Sequence, residues 1–112
     1  MTEGPGTSQS DPVLQEVVRR LVATYQPDRI YLFGSHARGE ATSDSDYDLL
    51  VVVSNTTPLA ARQSARAYEA LWGLGVGADV LVWTQRAFDE RLHLRASLPA
   101  TVVREGTLLH AA

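Results

Sequence analysis

No cysteine occurs among the 112 residues, which excludes disulfides, thiolate metal sites and cysteine nucleophiles. Lysine is missing as well. All ten basic residues are arginines, so this chain cannot supply a Schiff-base or phosphate-binding lysine. No basic stretch followed by an apolar run marks a secretory signal at the N-terminus. The longest aliphatic run, residues 49–53, is far below the roughly 20 residues of a membrane span. These absences predict a soluble, cytoplasmic protein without membrane contact. The formal net charge is −3, so no global basic field invites nucleic acid, and direct nucleic-acid binding is not expected.

What is present is an ordinary globular mixture, with 45% hydrophobic and 21% charged residues. The length suits one domain and one core, without room for a large acceptor-binding domain. Residues 1–10 are rich in Gly, Pro, Ser and Thr without apolar periodicity and read as a disordered leader. The folded domain is expected over residues 11–112. Asp11 and Pro12 form a helix start, and Leu14, Val17, Val18, Leu21, Val22 and Tyr25 follow at helical spacing. Residues 30–33 read as a strand ending at Gly34 and Ser35, then a short helical turn and loop to residue 44. Residues 47–53 form a second strand.

A helix is expected to open at Thr57-Pro58, burying Ala61, Ala65, Tyr68, Leu71 and Trp72, and to break at Gly73, Gly75 and Gly77. A third strand spans residues 78–83. Thr84 caps a further helix with Phe88, Leu92 and Leu94 turned inward. A last helix over residues 97–105 is closed by Gly106 as its C-terminal cap, before a small strand at residues 107–110. No internal repeat is found. The order predicts a small α/β (α+β) domain.

Three features carry chemistry. Gly34 and Ser35 end a strand before a short helix, where backbone N–H groups can face an anion; an ordinary β-to-α turn has the same pattern. Asp46 and Asp48 alternate along a strand, so both carboxylates leave on one face. Their repulsion raises their affinity for protons, and a divalent cation removes the penalty. An acidic turn is the competing reading, since Asp44 is nearby, but carboxylates at the mouth of the apolar run 49–53 need partners. Asp79 opens another apolar strand. Alone it says little; if the two strands are neighbours it joins Asp46 and Asp48, and three carboxylates holding two Mg²⁺ ions suit in-line phosphoryl transfer.

Gly34-Ser35, a ten-residue interval and Asp46-x-Asp48 followed by an apolar strand resemble the signature of the DNA polymerase β-like nucleotidyltransferase superfamily. The segment from Phe33 through Ala41, that from Ser45 through Val51, and the tail from Val103 to Leu109 resemble its minimal nucleotidyltransferase (MNT) group over about residues 11–110. The resemblance implies a small mixed β-sheet flanked by helices with the site at one edge. It implies ATP as nucleotide donor with Mg²⁺, β- and γ-phosphates on Gly34 and Ser35, and metals on Asp46 and Asp48. Asp79 would hold the catalytic metal and position the acceptor hydroxyl. Arg38 would lie near the triphosphate or in a surface salt bridge. Short members of the group are often antitoxins of HEPN-domain toxins, so a hetero-oligomer is implied in which AMP passes from ATP to a tyrosine of the toxin.

Two other functions compete: neutralisation of the partner by contact alone, and nucleotidyl transfer to a small molecule, which the chain's shortness disfavours. His36, His93 and His110 lack zinc-like spacing, and His36 is expected to be exposed. Trp72 and Trp83 are expected in the core or an interface. Arg86, Arg91 and Arg95 read as a solvated helix face or a basic face toward a partner.

Overall fold

A computed structural model describes residues 11–42 and 45–112; the expected leader lies outside the described residues. Helix α1, Pro12–Tyr25, begins as its sequence dictates. Asp11 Oδ1 accepts from the Leu14 amide at 3.1 Å, Pro12 occupies the first turn, and Leu14, Val17, Leu21 and Tyr25 form the buried stripe. Strand β1 is Arg29–Phe33, and a single turn of helix, α2, Gly34–Ala37, follows without a break. Strand β2 is Tyr47–Val53 and β3 is Ala78–Thr84. Helix α4, Gln85–Glu90, is capped by Thr84, and α5, Leu98–Glu105, by Ser97; strand β4, Thr107–Ala111, ends the chain's regular structure.

The four strands form one sheet in the order β3-β2-β1-β4. Strand β1 is antiparallel to both β2 and β4, whereas β2 and β3 run parallel. The sheet is therefore mixed and helices cover both faces, as expected. Parallel pairing requires a crossover, which the segment between β2 and β3 supplies with a 3₁₀ turn, Leu59–Arg62, and helix α3, Ala65–Ala70.

Central placement explains the composition of β2. Leu49 through Val53 have no exposed surface, because both faces are packed. Leu49, Val51 and Val53 meet α1 residues and Ala67 in one core cluster, and Leu50 and Val52 meet Tyr31, Phe88 and Val102 in the other. At about 1.5–3 kcal/mol for each buried aliphatic side chain, this strand is firmly fixed. Asp46 and Asp48 continue the column of Leu50 and Val52, beyond the end of the helical cover.

Three expectations about burial are corrected. The crossover is not one helix with an aromatic stripe: Gln63 is extended and its carbonyl accepts from the Tyr25 hydroxyl at 2.7 Å, which splits the 3₁₀ turn from α3. The six-residue α3 buries only Ala67, and Leu71 follows it inward, while Tyr68 is 55% and Trp72 85% exposed. Leu92 and Leu94 also point outward, since α4 stops at Glu90 and helical spacing no longer applies beyond it. Gly106 does close α5, its amide donating to the Val102 carbonyl at 2.7 Å, but with extended backbone. Its requirement is space: a Cβ would lie 2.5 Å from the Val102 oxygen and 2.7 Å from that of Leu32.

Candidate active site

The parallel register sets Asp48 opposite Asp79, and Tyr47 opposite Ala78. On its other side Asp48 is paired with Phe33, the last residue before Gly34. Strand pairing alone thus draws Gly34, Asp48 and Asp79 into one line across the sheet end, with Asp46 one side-chain position further out. Asp48 is half-buried; Asp46 and Asp79 are exposed. None of the three carboxylates has an ion pair among the described residues.

Burial is the main cause that pushes the Asp48 carboxyl above the ordinary carboxylate range. The negative charges of Asp79 and then Asp46 add to it, while His36 and Arg38 pull the other way. Like charges that act on one another without a direct ion pair suit a divalent ion held partly by substrate. Among the described residues no group of three or more acidic or histidine side chains is placed to hold a metal ion by itself. An all-oxygen, open edge fits Mg²⁺, which retains waters and takes phosphate oxygens as ligands, better than an ion enclosed wholly by protein.

Two glycines shape this edge. Gly34 has φ +75°, a left-handed conformation costly for other residues, and a Cβ there would collide with the Asp48 carboxylate. Its missing side chain lets that carboxylate lie against Gly34 at the start of α2. Gly77 is the second. Its amide neighbour in the ladder is close enough that Gly77 O accepts from the Tyr47 amide at 3.0 Å, and a Cβ on it would collide with the Asp46 carboxylate. Reading Gly77 only as a helix breaker missed this. The missing signal was the pairing itself: Gly77-x-Asp79 runs alongside Asp46-x-Asp48 only in the parallel register.

His36 is not exposed, contrary to expectation. Its ring stacks on Tyr47 with centroids 4.2 Å apart, and Nε2 lies 3.1 Å from the Ser45 carbonyl. The Tyr47 hydroxyl donates in turn to Asp11 Oδ2 at 2.6 Å. Burial, followed by the hydrogen bond to Asp11 and its charge, pushes the Tyr47 phenol up to about 12. This chain of contacts joins the start of α1 to the mouth of β2. Arg38 pairs with Glu40 at 3.0 Å, the surface bridge foreseen as one alternative, although its charge still acts on Asp48. His93 and His110 lie away from the acid edge, on the α4–α5 connection and on β4. Trp83 packs against the second core cluster with the Arg91 guanidinium over its ring, whereas Trp72 is outside any core.

A cleft of about 710 Å³ opens on the Asp79 side, between the acid edge and the end of α3; Asp46, Asp79, Tyr68, Leu71 and Trp72 line it together with Gly73, Gly75 and Gly77. A smaller cavity of about 250 Å³ lies on the other side of Asp46, against His36 and Tyr47. Among the described residues no helix is long and apolar enough to cross a membrane.

Comparison with known proteins gives one family. The sequence profile described as a nucleotidyltransferase domain matches residues 14–106. No curated protein sequence matches significantly. Among solved structures, a chain of a toxin–antitoxin crystallised with AMP-PNP superposes with a TM-score of 0.59 at 24% identity, over 88% of this chain and 73% of that one. A chain of the tri-AMPylated Shewanella oneidensis HEPN toxin in complex with MNT antitoxin gives 0.53 at 22%, over 88% and 69%. A chain of a toxin–antitoxin MntA–HpeT variant gives 0.54 at 25%, over 88% and 72%. At such identities the likeness establishes the fold.

Proposed function

Because this chain belongs to the nucleotidyltransferase domain family, we propose that it is an ATP-dependent protein adenylyltransferase, moving AMP onto a tyrosine of a HEPN-domain toxin and acting as that toxin's antitoxin. The observation that carries the reading is the register pair Asp48–Asp79 with Asp46 two residues before Asp48, the charges of Asp79 and Asp46 both acting on the half-buried Asp48 carboxyl, which has no ion pair among the described residues. The AMP-PNP-bound and AMPylated complexes among the structural neighbours support the choice of nucleotide and partner.

The residues divide the work as follows. The Gly34 and Ser35 amides and the Ser35 hydroxyl orient the β- and γ-phosphates, and the absence of a Gly34 side chain keeps the Asp48 carboxylate close beside them. Asp46 and Asp48 hold Mg²⁺, which when bound polarises the phosphate and steadies the leaving pyrophosphate. Asp79, across the ladder from Asp48, positions the acceptor hydroxyl and takes its proton. Arg38 must leave Glu40 to reach a phosphate oxygen, and its bridge is exposed enough for that exchange to be inexpensive.

Incubation of a HEPN-domain protein with this chain and Mg·ATP, followed by intact-mass and peptide mass spectrometry, tests the proposal. A tyrosine bearing one AMP, absent with Asp48→Asn, is expected. An unlabelled acceptor, or equal labelling by the variant, contradicts it.

A further inference from the structure

The sheet has two edges, and they are built differently. Strand β4 carries a bulge: Ile30 pairs with His110 and Tyr31 with Leu108, which leaves Leu109 as the extra residue. Such an irregularity is a common guard against edge-to-edge pairing. Strand β3 has none. Its seven residues run in unbroken register with β2, and they include no proline and one charged side chain, Asp79. Between residues 79 and 83, no outward N–H or C=O of β3 has a hydrogen-bond partner among the described residues. Helical cover also ends here. Leu50 is fully buried, whereas Leu81, its register partner on β3, is 40% exposed. A long, regular, apolar edge of this kind is a template for another strand.

We propose that this strand is β3 of a second copy of the chain, running antiparallel about a two-fold axis at Leu81, so that two four-stranded sheets join into one of eight strands. Opposed side chains in an antiparallel pair share a face, so a two-fold axis normal to the sheet must pass through a residue. The axis at Leu81 is the one that pairs the whole of Ala78–Thr84. Leu81 then meets Leu81 of the second copy and loses its exposure, Val80 meets Val82, and Asp79 meets Trp83. The last pair names the occupant. The Arg91 guanidinium lies 5.5 Å from the centre of the Trp83 ring in its own chain. Neither Arg91 nor Asp79 has an ion pair among the described residues. Pairing therefore sets the unmatched arginine of one copy beside the unmatched carboxylate of the other, twice by symmetry. The chain's own edge supplies both halves of this complementarity, whereas a foreign strand must bring its own cation. Each acid edge gains an arginine from its neighbour.

Sedimentation equilibrium over a concentration series, with hydrogen exchange of the β3 amides and a thermal melt of every variant, tests the proposal. The wild type should associate to twice the chain mass, and exchange at residues 79–83 should slow as it does so. Leu81→Lys sets like charges against each other at the axis and should weaken association at least about tenfold, as should Arg91→Glu. Both side chains are on the surface side of the sheet edge, so their melts at low concentration should stay near that of the wild type. Arg91→Lys should keep most of the association. A wild type that remains monomeric at every concentration overturns the proposal, including the outcome in which only a different protein protects the β3 amides. A dimer whose β3 amides exchange as fast as the monomer's is held by another surface and overturns it too. Equal association by Arg91→Glu and the wild type overturns the pairing of Asp79 with Arg91 that identifies the second copy.

Discussion

Replacing Gly77 by alanine separates folding from chemistry at the acid edge. Gly77 has no positive φ, and the side chain of Ala would meet chiefly the Asp46 carboxylate. That carboxylate is the far end of an exposed side chain and can swing into solvent. Removing a glycine also limits the unfolded chain, which favours the fold by about 0.4–1 kcal/mol where the backbone is compatible. The two effects oppose each other, so Gly77→Ala should alter stability by less than about 0.5 kcal/mol. The displaced Asp46 no longer faces Asp48 and Asp79, and Mg·AMP-PNP affinity and transfer should fall about tenfold to a hundredfold, as for loss of a group that orients a metal ligand. Gly34→Ala is the contrasting case. It combines left-handed strain at φ +75° with a collision against a carboxylate anchored on the buried strand β2, and should cost about 1–3 kcal/mol in addition to activity. Thermal melts with nucleotide calorimetry distinguish the two. Full affinity in Gly77→Ala, or a collapse of its melting temperature, refutes the reasoning.

Asp48→Asn should raise the melting temperature of the metal-free protein, because the ionised carboxylate is opposed by burial, Asp79 and Asp46; a lower melting temperature without Mg²⁺ contradicts this. Tyr47→Phe removes a phenol-to-carboxylate hydrogen bond and should cost about 1–2 kcal/mol by chemical denaturation at neutral pH. Since folding raises the Tyr47 pKa to about 12, its contribution is complete below the ordinary tyrosine value of about 10 and is lost as pH rises from there through about 12. The variant's stability should therefore fall less steeply across that alkaline window, and parallel slopes for the two proteins would deny Tyr47 this role.

Local chemistry was legible wherever one residue type settled the matter. Asp11 and Pro12 announced the start of α1, and the apolar run after Tyr47 announced a strand buried on both faces, because few other environments accept Leu49 through Val53 together. The spacing of Gly34, Ser35, Asp46 and Asp48 marked a candidate site, and the strand register brings Gly34, Asp48 and Asp79 to one end of the sheet. What the sequence could not display was pairing. Asp79 gained its meaning only from the parallel register with β2, and Gly77 only from lying opposite Asp46, relations that span about thirty residues of chain. Burial within the crossover was misread for another reason. The pattern of Ala61, Ala65, Tyr68 and Trp72 fits one long helix, but the Tyr25 hydroxyl bound to Gln63 breaks that helix and turns its aromatic side chains outward. His36 was read as surface because its partner, the Tyr47 ring, faces it only after β2 has folded back beside β1.

The central claim is that the carboxylates at the ends of β2 and β3 hold a metal-bound nucleoside triphosphate. Calorimetric titration of Mg·AMP-PNP into the wild-type protein, the double variant Asp46→Asn, Asp48→Asn, and Asp79→Asn tests it most directly. The account predicts binding by the wild type that EDTA abolishes, none by the double variant, and retained binding by Asp79→Asn, whose acceptor labelling should nevertheless fall on the order of a hundredfold. Equal affinity in the wild type and the double variant, with or without Mg²⁺, would contradict it.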